Sequence, residues 1–150
     1  SPIAGNYNRK YRITVDDGLN VTLKEGPVTE LYEDQWDMQL AINGNWVPVT
    51  WEANEAVEEL KYLLPLTIQL SMYGGFEQVG DIGTVLTSSD TRITAENGDI
   101  MLYSDDQIVL FYGSNTWEYT PLGHIEDLST GQLEALLGGG SAVLRLRMGR

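Results

Sequence analysis

Residues 98–125, GDIMLYSDDQIVLFYGSNTWEYTPLGHI, carry the decision about the fold. Two apolar runs, Ile100–Tyr103 and Ile108–Tyr112, flank the turn-forming Ser104-Asp105-Asp106-Gln107, and the polar elbow Gly113–Thr116 leads into a third run. β-Branched and aromatic side chains suit a pleated surface, and turn residues at such short intervals allow repeated reversal, so the stretch reads as a β-meander. Tyr112, Asn115, Trp117, Tyr119, Thr120 and His124 are the side chains it can present together.

Downstream, Ser129 is a plausible N-cap for a short helix through Leu137 whose buried stripe is Leu133, Leu136 and Leu137. Gly138–Gly140 stops it, and Ala142–Met148 alternates as a last strand. Upstream, Thr87–Asp90 reads as a polar loop before a short segment, Arg92–Ala95, and Tyr73–Glu77 is a turn bearing two aromatics and a carboxylate. Leu66, Ile68, Leu70 and Met72 share one face of a strand. Before it, Glu52–Leu64 is the clearest helix, with Ala56, Leu60, Leu63 and Leu64 as its stripe, glutamates toward its start and Pro65 at its end.

Two hairpins precede the helix. In one, Met38, Leu40 and Ile42 share a face, Asn43-Gly44 makes the turn, and Trp46, Val47 and Val49 return, with Pro48 pointing to an edge position. In the other, Tyr11–Val15 and Leu19–Leu23 alternate about Asp16-Asp17-Gly18. Ser1–Arg9 reads as a loose leader, and Val28–Gln35 fits a helical turn or a strand equally. The expected division is an extension over residues 1–36 and a main domain over 37–150. Many short antiparallel strands with two helices predict a mainly β protein, a closed barrel with helices over its openings.

At 150 residues the chain can bury a core without staples, and it has no cysteine, which excludes thiol chemistry. Nine Lys and Arg against 22 Asp and Glu give a net charge of −13, and only Lys61 and Arg92 are basic between Trp36 and Ala142. Such a surface repels phosphate backbones, which argues against nucleic-acid binding, and no apolar run is long enough to span a membrane. The chain starts Ser1-Pro2, as the mature end of an exported protein or a trimmed chain would, and export is the preferred expectation. No feature encodes an oligomeric state.

The wording of four blocks, Leu64–Ile68, Tyr73–Gly80, Gly98–Tyr103 and Phe111–Ile125, resembles the bacterial cyclophilin-like family, small proteins and domains of poorly defined role, some fused to flavodoxin-like domains. The resemblance covers about Asp37 to Met148 and implies an eight-stranded antiparallel barrel closed by two helices, the N-terminal hairpin being an addition. True cyclophilins are peptidyl-prolyl isomerases that set an arginine beside an apolar proline pocket, easing rotation over a barrier of about 18–20 kcal/mol. The motif carrying that arginine has no match here; Arg92, in a loop-like context beside Asp90, reads as a surface arginine.

Other chemistry finds little support in the residues. His124 is the lone histidine, so a two-histidine metal site is excluded, and it reads as an exposed or hydrogen-bonded strand residue. No nucleophile elbow, phosphate-binding glycine loop or calcium loop is present. The expectation is therefore no catalytic set, no metal and no cofactor. Aromatic residues are the positive signal: Trp117 and Tyr119 share one strand face, Tyr112 precedes them, and Tyr73 and Phe76 occupy another turn. If those turns meet, Tyr73, Phe76, Glu77, Tyr112, Asn115, Trp117, Tyr119 and Thr120 form a shallow cleft suited to a small molecule or an extended peptide. The expected function is a non-enzymatic binding domain, with a weak prolyl isomerase and a structural docking domain as alternatives.

Overall fold

The computed structural model describes residues 11–16, 20–25 and 36–149. The expected leader and the ambiguous Val28–Gln35 segment lie outside them. Strands β1 (Tyr11–Asp16) and β2 (Asn20–Glu25) form the anticipated antiparallel hairpin, in register from Tyr11 opposite Glu25 to Asp16 opposite Asn20.

Met38–Met148 is a separate compact unit. Its elements follow in order: β3 (Asp37–Ile42), β4 (Asn45–Val47), β5 (Val49–Trp51), α1 (Glu55–Tyr62), β6 (Leu66–Tyr73), β7 (Glu77–Asp81), β8 (Thr91–Ala95), β9 (Asp99–Tyr103), β10 (Gln107–Phe111), β11 (Asn115–Ile125), α2 (Thr130–Leu137) and β12 (Ala142–Gly149). The sheet path is β4-β3-β12-β6-β7-β10-β9-β11-β5. Since β4 and β5 are halves of one strand interrupted at Pro48, the path comes back to its start, and the staves number eight with β8 outside them. Proline cannot donate to a ladder, so Pro48 belongs at the seam where pairing passes from β3 to β11. Asn43 (φ 51°) and Gly44 (φ 84°) both take the left-handed conformation that a tight two-residue reversal demands.

Period-two alternation turns Leu40, Ile42, Ile68, Leu70, Ile100, Leu102, Ile108, Leu110, Leu144 and Leu146 into one core inside the barrel. The first helix is shorter than the patterning predicts, and the second runs from its expected cap, Ser129, to Leu137. Asn54 caps α1 by accepting from Val57 N at 2.9 Å, so the helix begins at Glu55 and Glu52 stays outside. Its buried residues are Ala56, Val57 and Leu60, while Leu63 and Leu64 are half-buried beside the core. In α2, Ser129 and Gln132 form a reciprocal capping box, and Leu133 and Leu137 are the buried pair. Segment 91–95, expected in a loop-like setting at Arg92, is strand β8, which pairs with the first half of β11.

β11 is eleven residues long and serves two structures. From Asn115 to Tyr119 it pairs with β8, and from Thr120 to His124 with β9, the register shifting between Pro121 and Gly123. The β8–β11 arm covers part of the barrel's outside. Beneath it a second cluster forms from Ala95, Met101, Val109, Phe111 and Tyr119, with Phe76, Val79 and Ile93 packed against it.

Candidate functional site

Glu77 starts β7, and the strand's alternation decides where it points. Gln78 faces the barrel interior, its Nε2 donating to the carbonyls of Leu137 at 2.7 Å and Gly140 at 2.5 Å. Glu77 and Val79 therefore face outward, toward the second cluster. Glu77 lies opposite Tyr73 on β6 and opposite Phe111 on β10. Directly opposed residues in antiparallel strands bring their Cβ atoms within about 5 Å, so a carboxyl stands between two rings.

The turn Gly74–Phe76 fixes this arrangement. Gly74 and Gly75 have φ of 64° and 72°, and a Cβ on Gly74 would overlap the Phe76 ring. Phe76 meets Tyr73 edge-on at 6.2 Å, and its carbonyl accepts from both Tyr112 N and Gly113 N at 3.0 Å. Gly113 is needed for that approach: a Cβ there would lie 2.7 Å from Phe76 Cβ. On the other side, Tyr119 stacks edge-on over Phe111 at 5.5 Å and meets Tyr103 at 6.2 Å, and its hydroxyl accepts from Asn115 Nδ2 at 2.9 Å.

The electrostatics follow from this packing. Glu77 is 6% exposed as a residue; its carboxyl makes no hydrogen bond or ion pair among the described residues, and its oxygens keep contact with solvent, since they are not among the sealed atoms that lack a partner. Burial raises its pKa to about 7. The Tyr119 hydroxyl is pushed up by burial, held back by the Asn115 bond, and pushed up further by the neighbouring charges of Glu77 and Tyr103. Tyr73 is 66% exposed and Trp117 49%, so two rings at this surface meet solvent.

Six of the eight residues singled out in the sequence lie on the two elements that meet here: Tyr73, Phe76 and Glu77 on the β6–β7 turn, and Asn115, Trp117 and Tyr119 on the arm. Tyr112 and Thr120 do different work. Tyr112 follows Phe111 and so points inward, joining the barrel core, where its buried hydroxyl has no partner. Thr120 is buried and staples the loop before β8: its Oγ1 accepts from Ser89 N at 2.8 Å and donates to Asp90 Oδ1 at 2.6 Å. Phe111 belongs to the cluster and Tyr103 meets the cluster's Tyr119 ring, and neither is among the residues singled out in the sequence. Their outward alternation with Val109 and Met101 was the available signal.

Arg92 is exposed on β8 with Nη1 3.8 Å from Glu118, its cross-strand partner, and not paired with Asp90. His124 Nδ1 lies 2.7 Å from Asp99 Oδ1, whose other oxygen accepts from Glu96 N at 2.8 Å. No metal-ligating cluster occurs among the described residues. A shallow groove of about 530 Å³ opens along α1, lined by Ala53, Asn54, Glu55, Glu58, Glu59 and Tyr62. None of the residues singled out in the sequence lines it. Thr87 bonds the Glu59 carboxylate through Oγ1 and the backbone N–H, which lowers its pKa. No helix of the described residues is long and apolar enough to cross a membrane.

Three comparisons bear on this architecture. No curated protein matches the chain. The solution structure of a hypothetical protein from Archaeoglobus fulgidus aligns with a TM-score of 0.51 at 15% identity, covering 75% of this chain and 93% of that one. A likeness at that identity speaks to the fold alone. A model of the cyclophilin-like family matches residues 40–147, which span the barrel from β3 to β12. The chain belongs to the cyclophilin-like family.

Proposed function

We propose that the barrel is a binding domain that takes a small organic molecule or an extended peptide on its outer face, where the β6–β7 turn meets the β8–β11 arm. One observation carries the reading: the nearly buried Glu77 carboxyl, without a hydrogen-bond donor among the described residues, stands beside the exposed ring of Tyr73. Buried carboxyls are ordinarily paired, because leaving one unpaired costs free energy. A site that retains such a group gains back the cost when a ligand supplies the donor. Phe76, Phe111 and Tyr119 form an apolar floor, and Asn115 orients the Tyr119 hydroxyl. Residues 37–150 are the binding domain in this reading, and residues 1–36 are an extension of it.

The test is a thermal-shift screen of peptides and small metabolites, repeated on Tyr73→Ala and Trp117→Ala. Both side chains are exposed, so each variant should melt like the parent while losing the shift given by a ligand found in the screen. Unchanged shifts in both variants would move the site elsewhere. A proline-isomerisation assay on a standard X-Pro peptide runs beside it. No rate above background is expected, since the isomerase motif that carries the arginine has no match in this sequence. Clear turnover would replace the binding reading with an isomerase.

A further inference from the structure

Given a binding site on the outer face, the chemistry at Glu77 narrows the class of ligand it takes. A carboxyl held among rings has two forms of complementarity. Ionised, it attracts a cation, and the rings around it offer their negative faces to the same cation. The groups facing it are tyrosines: Tyr73 from β6, Tyr119 from β11, and Tyr103 behind Tyr119 from β9, with the uncharged Phe111 on β10. On the arm, the cation is Arg92 of β8, which stands opposite Glu118, on the side of the arm away from Tyr119. No described lysine or arginine bonds the Glu77 carboxyl, and with a net charge of −13 the molecule as a whole favours approach by cations.

We propose that Glu77, with the rings of Tyr73, Phe76 and Tyr119, forms an acceptor site for an ammonium group, carried by a free amine or by a lysine side chain of a peptide. The amine's N–H groups supply the donors that the carboxyl lacks, and its methylene stem lies along the rings. Two independent features point the same way: a glutamate more than nine-tenths buried whose carboxyl has no protein partner among the described residues yet is reached by solvent, and an aromatic surround with one face open to solvent at Tyr73. A neutral ligand of the same shape would leave the ionised carboxyl unpaired.

The test uses the full chain and two matched pairs of probes: benzylamine against benzyl alcohol, and acetyl-Gly-Lys-Gly-amide against its norleucine counterpart. Binding is followed by the amide resonances of Gly75 and Gly113 and the indole N–H of Trp117, at about pH 8, where Glu77 is largely ionised. At least one cationic probe should shift these resonances, with its neutral partner about tenfold weaker. Glu77→Gln, which keeps the shape, should remove that discrimination and leave the neutral probe's affinity as it was. Response to benzylamine as well as to the lysine peptide identifies a free-amine site; response to the peptide alone identifies a peptide site. Equal binding of the neutral partner, or discrimination that survives Glu77→Gln, overturns the ammonium proposal while the outer-face binding site stands. Silence of all four probes at millimolar concentration overturns the proposal, and the variants in the metabolite screen then decide the binding reading separately.

Discussion

The barrel interior and the cluster under the β8–β11 arm share strands but follow different rules. Leu110 and Phe111 are consecutive, both fully buried, and point into different cores. The inner core is mostly aliphatic; its Gln78 spends its amide protons on two backbone carbonyls, while Gln78 Oε1 and the Tyr112 hydroxyl are sealed there without a partner among the described residues. The outer cluster is rich in rings and retains an unpaired carboxyl at its margin. Polar atoms left over inside a closed barrel, Gln78 Oε1 and the Tyr112 hydroxyl, lie beyond a ligand's reach, whereas a carboxyl at the margin of a face covered by an arm can be met from solvent. The difference identifies the outer face as the place to look for function, even though the inner core holds most of the stability.

Four experiments probe whether the two clusters differ in this way, and the largest effects come from the neighbouring pair. Leu110→Ala and Phe111→Ala should each cost about 3–4 kcal/mol in denaturant unfolding, as large-to-small changes at fully buried sites do. Hydrogen exchange should then separate them. Leu110→Ala should raise exchange in β3, β6 and β12 together, and Phe111→Ala should raise it first in β8 and the first half of β11. Identical exchange patterns would mean that the two clusters are one cooperative core.

A smaller effect concerns pH. The folded carboxyl of Glu77 titrates at about 7, above the ordinary glutamate value near 4.5, so the folded state holds its proton through a range in which the unfolded chain has lost it. Stability should therefore be highest below about pH 4.5, apart from other carboxylates, fall as pH rises to about 7, and level off above. The loss attributable to this group should be about 2 kcal/mol, allowing for its contact with solvent. Glu77→Gln should abolish that component in a series of denaturation midpoints against pH and be more stable than the parent at about pH 8. A parent and variant with parallel profiles would show that Glu77 is not desolvated in the folded state.

Smaller again is Tyr112→Phe. The hydroxyl it removes is buried and unpartnered, so the variant should be unchanged or up to about 1 kcal/mol more stable by thermal unfolding. A loss above that would reveal a bond to the hydroxyl. At the low end, Trp117→Ala and Arg92→Ala should each change stability by no more than about 0.5 kcal/mol, since one ring is half exposed and the ion pair is solvent-screened. Only Trp117→Ala is expected to affect ligand binding.

Much of this architecture is readable from local pattern. Asn43-Gly44 predicts its turn because few other pairs adopt two left-handed conformations in succession. Alternation in Leu66–Met72 and Ala142–Met148 predicts the inward faces at Ile68, Leu70, Leu144 and Leu146. Helix ends are less legible: Asn54 competes with Glu52 as a start, and capping by a side chain, which hydropathy does not register, decides in favour of Asn54. The candidate site is legible in part. The turn 73–77 and the stretch 115–119 carry the aromatics, but Tyr112 stands one position after Phe111, and a change of one residue sends a strand side chain to the other face.

Length, composition and periodicity suffice for an acidic, cysteine-free, mainly β chain with its turns and most inward-facing residues, because those properties depend on neighbours a few positions away. The second cluster beneath the arm depends on contacts that are distant in sequence: Glu77 with Phe111, Phe111 with Tyr119, Arg92 with Glu118. Which face of β10 meets which partner, and therefore which carboxyl is buried without a donor, is decided only once β11 has bent at Pro121–Gly123 and laid its first half against β8. Burial and pairing across such separations are properties of the folded chain, and they raise Glu77 from an acidic residue in a glycine turn to the centre of the proposed site.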